Sequence, residues 1–223
     1  MKKTICILLA ATLAVTAFAQ AESQTSVYAS PDGRIALDVV SRLGWGFGFV
    51  KSDEFEPKGS GEFFFNMLNL KVYPVPAFGL ELGADMGVRY IGSRENAFVQ
   101  HDHIIDAVDF STISDSDRAR SSINILSINV PLLAKFRMDK FQIGGGVEAQ
   151  INLTGNSRYS YREQDTRVEA ITYRGKINTL TYGFVGIIGI SSVSVFAKFY
   201  PKSFLPKESV NFSFWTLGVA FGL

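Results

Sequence analysis

The stretch "FQIGGGVEAQINL", residues 141–153, puts Phe141, Ile143, Val147, Ala149, Ile151 and Leu153 on odd positions and Gln142, Glu148, Gln150 and Asn152 on even ones. Successive side chains of a strand point to opposite faces, so this segment reads as a strand with one apolar and one polar face. What each face meets decides the fold.

The same period of two recurs along the chain. Strands are expected at about 35–50, 62–73, 77–91, 122–137, 141–153, 176–190 and 192–200, with an eighth ending the chain over Trp215 to Leu223. In the third, Phe78, Leu80, Leu82, Ala84, Met86, Val88 and Tyr90 alternate with Gly79, Glu81, Gly83, Asp85, Gly87 and Arg89. The last sets Trp215, Leu217, Val219, Phe221 and Leu223 against Thr216, Gly218, Ala220 and Gly222. Two strands are less clean: the second begins in a run of Phe, and Val185 and Ile187 break the contrast of the sixth. Short connections (74–77, 138–140, 190–193) alternate with long polar ones (51–61, 92–121, 154–176, 202–209). All long loops therefore leave one end of the assembly.

A soluble eight-stranded barrel of the lipocalin kind would turn the bulky apolar face inward. A barrel that small has room only for modest side chains. Gly44, Gly46, Gly48, Gly79, Gly83, Gly87, Gly144 and Gly146 on the other face suit a crowded lumen better than a solvated exterior. The apolar face must then look out, and lipid is the partner large enough to cover it. Closure satisfies every backbone group without water, which an open sheet in lipid cannot do. The expected fold is all-β: an eight-stranded antiparallel up-and-down transmembrane β-barrel of the bacterial outer membrane. On this parity Val147→Lys blocks insertion, whereas Gln150→Lys is tolerated.

Composition agrees. The 223 residues are 47% hydrophobic and 13% aromatic, with 20 Gly and 19 Phe, yet past the N-terminus no apolar run is long enough for a membrane helix. Residues 1–19 read as a signal peptide: Lys2 and Lys3, an apolar core, and Ala17-Phe18-Ala19 as cleavage site. Cys6, the single cysteine, lies inside that core, so the mature chain has no thiol chemistry. Without Lys2 and Lys3 the chain holds 20 basic and 21 acidic residues, no excess to attract nucleic acid. Residues 20–34 form a short periplasmic segment ending in the turn Pro31-Asp32-Gly33, and residues 35–223 form the barrel.

The segments "LELGADMGVRY" (80–90), "LSINVPLLAKFRMDKFQIGGGVEAQI" (126–151) and "FWTLGVAFGL" (214–223) resemble the PorT-like family of outer-membrane β-barrels. Val130-Pro131-Leu132-Leu133-Ala134-Lys135 is similar to that family's apolar-Pro-Leu-Leu-x-Lys strand, and Ile143 to Gly146 to the Gly-rich strand after it. The resemblance implies the barrel over 35–223 and, through one member, an accessory role in protein secretion. The last strand resembles the signal read by the barrel-assembly machinery, with Leu223 where an aromatic usually stands.

By parity, Arg42, Lys71, Glu81, Asp85, Arg89, Lys135, Arg137, Glu148 and Lys198 form a polar network in the lumen. Mixed signs favour ion pairs that close and stiffen the barrel over a conduction path, because buried charges left unpaired are costly. The alternative is a narrow channel for small or apolar solutes. No catalytic residue, cofactor or metal ligand is expected. His101 and His103 are the only imidazoles, and the carboxylates Asp102, Asp106, Asp109, Asp115 and Asp117 lack metal-site spacing. A lipid-modifying site would need Ser111, Ser121 or Ser122 within reach of those His, and there is no G-x-S-x-G. In 157–176, Tyr159, Tyr161 and Tyr173 suit an interfacial belt, and Arg158, Arg162, Arg167 and Arg174 could meet anionic headgroups or sugars. The expected role is structural or interactive: outer-membrane lipid as surroundings, and loops 92–121 and 154–176 presented to an extracellular or envelope protein.

Overall fold

The computed structural model describes residues 26–101, 104–112, 119–163, 166–173 and 177–222; residues 1–19, His103 and Arg174 lie outside them. Twelve strands are present among the described residues: β1 (Ser26–Ala29), β2 (Ile35–Lys51), β3 (Ser60–Val75), β4 (Phe78–Ser93), β5 (Asn96–His101), β6 (Ile104–Asp109), β7 (Arg120–Met138), β8 (Phe141–Glu163), β9 (Thr166–Tyr173), β10 (Leu180–Ile190), β11 (Val193–Tyr200) and β12 (Ser213–Gly222).

Eight of them close a ring. Antiparallel pairing runs β2–β3–β4–β7–β8–β10–β11–β12 and returns from β12 to β2, where Trp215 faces Phe49 and Ala220 faces Gly44. Neighbours in sequence are neighbours in the wall, as the tight turns at Asp139–Lys140 and Ser191–Ser192 require. The remaining strands belong to the connections. β5 and β6 form a hairpin inside the β4–β7 loop, and β9 extends the sheet beside the upper half of β8.

Part of the segment read as a plain N-terminal stretch is a strand. β1 folds back on the start of β2, continuing the β2 edge beyond the end of β12. The turn between them sits where Pro31-Asp32-Gly33 placed it, with Gly33 at φ 68°. The Ser30 hydroxyl donates to Asp32 Oδ1 at 2.5 Å. That bond and the Arg34 backbone N–H hold the Asp32 carboxyl below its ordinary range.

The wall has the handed faces that alternation dictates. Phe47 (59% exposed), Leu132 (48%), Val147 (48%), Ile188 (52%) and Leu217 (52%) point out, while Arg89 (0%) and Glu148 (1%) point in. Bulges interrupt the alternation. At Met67 the β3 register slips by one residue, so Glu62, Phe64 and Asn66 face inward below it in sequence and Asn69 and Lys71 above it. This slip accounts for the unclear start of the second expected strand. Val185 and Ile187 are inward too, buried at 8% and 4%.

The lumen carries more aromatic bulk than barrel size alone suggests. Phe64, Phe196, Tyr200 and Phe214 all lie inside it, and glycines make the room. The Phe64 ring covers Gly44 on the paired strand, and the Tyr200 ring covers Gly183; a Cβ at either glycine would run into the ring. Gly183→Val is therefore expected to push Tyr200 off its carboxylate partners and cost about 1–3 kcal/mol, read as a lowered urea midpoint of the refolded barrel.

Candidate functional site

The inward side chains stack in layers. Nearest the long loops is a set of two carboxylates and two cations drawn from four strands. Lys198 Nζ on β11 donates to Glu62 Oε1 on β3 at 3.0 Å and to Glu148 Oε2 on β8 at 2.9 Å. Arg89 Nε on β4 lies 3.7 Å from Glu62 Oε1. The Tyr200 hydroxyl bridges the two acids, 2.9 Å from Glu148 and 3.1 Å from Glu62, with its ring 4.4 Å beneath the Arg89 guanidinium. Thr216 donates to Glu62 at 3.0 Å and Gln150 to Glu148 at 2.7 Å. Opposite charges are thus matched in number, and each carboxylate accepts several hydrogen bonds, the condition under which buried ions are tolerated.

An apolar layer follows. Phe64, Ile187, Phe196 and Ala220 pack together, with Phe64 edge-on to Phe196 at 5.1 Å. Beside them Asp85 accepts from Asn66 at 2.5 Å. Toward the short turns a second ionic layer joins Glu81 to Lys135 and, at 3.3 Å, to Arg42; Lys71 pairs with Asp38 at 2.5 Å. Arg137 stands at the short-turn end, partly exposed, donating to the Tyr73 hydroxyl at 2.7 Å.

The structure places all nine predicted residues on the inward side: Arg89, Glu148 and Lys198 in one ionic layer, Arg42, Lys71, Glu81 and Lys135 in the other, Asp85 with Asn66 beside the apolar layer between them, and Arg137 at the rim. Sequence reading missed Glu62, the acid that Arg89, Lys198, Tyr200 and Thr216 share, because the Met67 bulge inverts parity on its strand. Asp38 and Tyr200 were missed as well. Both stand on the same parity as assigned lumen residues, Arg42 and Lys198, and that was the available signal.

The long-loop end is covered. Phe98 and Ile105 of the β5–β6 hairpin, Phe55 of the β2–β3 loop, and Phe204, Leu205, Val210 and Phe212 of the β11–β12 loop form one apolar cluster with Tyr200 and Phe214 below. Backbone bonds tie the pieces together: Ile105 N donates to Ser209 Oγ at 3.0 Å, and Val210 N to the Ile105 carbonyl at 3.0 Å. Asn178 Nδ2 donates to the Leu205 carbonyl at 2.6 Å. The connections read as long polar loops are in this part a packed lid.

The candidate nucleophiles have other work. Ser121 Oγ accepts from Phe98 N at 2.8 Å and donates to the Arg158 carbonyl at 3.1 Å. Ser111 N donates to Asp109 Oδ1 at 2.8 Å. Among the described residues no group of three His, Cys, Asp or Glu is placed to hold a metal ion.

No family model matches the chain, and no curated protein does, so the PorT-like resemblance gains no support there. Among solved structures it is similar to Ail, the attachment invasion locus protein of Yersinia pestis, at 12% identity, covering 85% of this chain and 98% of that one, with a TM-score of 0.36. Ail in complex with the heparin analogue sucrose octasulfate matches at 14% identity over the same shares, with a TM-score of 0.39. Likenesses this distant say nothing about activity, and strand register stands as the basis of the fold. The chain is a closed eight-stranded antiparallel β-barrel with an apolar outer belt, a layered ionic lumen and a packed lid over its long-loop end.

Proposed function

We propose that this chain is a bacterial outer-membrane barrel that acts as a rigid, non-conducting and non-enzymatic platform, presenting its long-loop end for interaction or envelope integrity. The observation that carries the reading is the combination of faces: large apolar side chains exposed around the whole ring, and a lumen filled by paired ions, aromatics and a lid. Water is a poor partner for that belt, which greatly exceeds the apolar patches of soluble monomers. Lipid is a good one, and each ring strand of eight or more residues is near the length needed to span hydrocarbon with tilt. Residues 1–19 as a cleaved signal, 20–34 as a periplasmic segment and hand-over to the barrel-assembly machinery belong to the same reading. An accessory role in secretion is compatible with a platform that offers loops and no pore.

Purified protein refolded into planar bilayers is expected to give no steady conductance, because ion pairs and rings occupy the path. Large, stable single-channel steps would replace the platform with the narrow-channel reading. Heat-modifiable migration on a gel tests membrane folding separately.

A further inference from the structure

The lid is assembled from separate loops, and one of them carries a charge conflict. The β2–β3 loop reads Ser52-Asp53-Glu54-Phe55-Glu56-Pro57-Lys58, three acids around a single apolar ring. Phe55 is buried, edge-on to Phe98 of the β5–β6 hairpin at 5.0 Å and to Phe212 of the β11–β12 loop at 5.9 Å. Through this ring the loop straps the other two pieces together. Hydrogen bonds hold the strap on either side of it. Ser52 Oγ donates to the Asn211 carbonyl at 2.8 Å, and Asn211 N to Glu54 Oε1 at 3.2 Å. Glu56 N donates to Asn96 Oδ1 at 3.1 Å, and Ser93 Oγ to the Glu56 carbonyl at 2.8 Å.

The last two bonds set Glu56 beside Glu95, at the foot of the hairpin. Asp53, Glu54, Glu56, Glu95 and Asp109 line one open cavity of about 460 Å³, and among the described residues no base lines it. Glu95 faces Glu56 and Lys58 of the strap and Asp109 at the end of β6. The Glu56 and Glu95 carboxyls are in hydrogen-bond contact, a bond that exists only while one of them carries a proton. That bond, and then the Glu56 charge, raise the Glu95 carboxyl above its ordinary value; Asp109 adds to the rise and Lys58 opposes it. Asp109 is itself held below its ordinary value by its bonds to Ser111, so it stays ionised while Glu95 takes up a proton.

We propose that Glu56 and Glu95 form a proton-operated latch on the lid: a shared proton ties strap to hairpin in acid, and two bare carboxylates push the strap, with Phe55, away from the hairpin in neutral medium. Closing the lid binds a proton. Closure is therefore fully supported below the ordinary carboxylate range and weakens as pH climbs through the raised value of Glu95. The latch belongs to the lid and not to the wall, so it stands independently of what surrounds the belt. On the platform reading, opening adds Phe55, Phe98 and Phe212 to the surface that the long-loop end presents.

The test is amide hydrogen exchange of the refolded full chain, corrected for the intrinsic effect of pH on exchange. Protection of the strap (52–58) is compared with that of the wall (141–151). The strap is expected to exchange about fivefold faster at about pH 7.5 than at about pH 5, with the wall unchanged. Glu95→Gln keeps a donor for Glu56 and removes one charge, so its strap should stay slow at both pH values. Glu56→Gln should do the same and serves if the first variant fails to fold. Equal strap protection at the two pH values in the unaltered protein overturns the proposal, as does an undiminished pH effect in the folded Gln variants. Loss of wall protection together with the strap would assign the response to the whole barrel and overturn the latch as well. Conductance, which tests the platform reading, is measured separately and has no bearing on these outcomes.

Discussion

Glu62→Ala is expected to destabilise the barrel by about 3–5 kcal/mol, the cost of stranding buried cations whose shared acid is removed. Glu62 is 2% exposed and receives Lys198, Tyr200 and Thr216 at 3.0–3.1 Å, with Arg89 Nε at 3.7 Å. After truncation Glu148 alone would face two cations, and the Thr216 hydroxyl would lose its acceptor. Urea unfolding of the protein refolded into vesicles measures the loss as a lowered midpoint at unchanged slope. Glu62→Gln keeps shape and two hydrogen bonds and should fall between. A double change, Glu62→Gln with Lys198→Met, restores charge balance between Arg89 and Glu148 and should recover much of the loss. With Lys198→Met measured alone as the second single variant, the cycle gives the coupling energy of the pair. A loss under about 1 kcal/mol for Glu62→Ala would mean the layer is hydrated and the lumen open to water.

The second large effect is on the opposite face of the wall. Val147→Lys sets an ammonium on the outward surface between Leu132 on β7 and Phe184 on β10, its direct ladder partners. In hydrocarbon such a charge costs about 2–4 kcal/mol near the midplane and less toward either interface. Folded protein recovered in the membrane fraction should drop several-fold. Gln150→Lys, three residues away and inward, is expected to insert. Gln150 already donates to Glu148 at 2.7 Å, and an ammonium can take that acceptor. The variant loses the bond that Thr181 donates to Gln150 at 3.0 Å, about 1 kcal/mol, and carries a third cation beside two carboxylates, so it is expected to insert but to unfold at lower urea than the unaltered protein. Equal recovery of the two variants would contradict the assignment of faces.

Strand number, the end from which the long loops emerge and the inward parity of β4 and β8 were legible because a period of two survives wherever both neighbours are in register. Legibility failed at three kinds of place. At Met67 one extra residue flips the face, so Glu62 and Asn66 look like outward positions in a run of Phe. On β10 and β11, Val185, Ile187 and Phe196 are apolar and inward, which binary patterning cannot tell from the belt. Room for two of them comes from glycines on the adjacent strands, Gly144 beside Ile187 and Gly218 beside Phe196. The lid was illegible for a different reason. Phe98, Ile105, Phe204 and Phe212 come from two loops separated by four strands of the wall, and nothing local to either announces the other. The β8–β9 hairpin was half legible: 157–176 suggested a basic hairpin, but the bulge at Leu153 that turns Arg158 and Arg162 outward emerges only from register.

The ionic layer near the mouth also bears on how the wall can be assembled. Glu62 comes from β3 and Lys198 from β11, 136 residues later, and the seam between β2 and β12 joins only when the last strand arrives. Until then Arg89 and Glu62 face a half-built groove with their third partner missing. An unclosed sheet would have to carry that imbalance into the apolar phase, whereas a closed one carries none. The charges therefore act as a proofreading step on completion: they penalise every partial cylinder and release the penalty in one event, so insertion of this chain should be cooperative at its final hairpin.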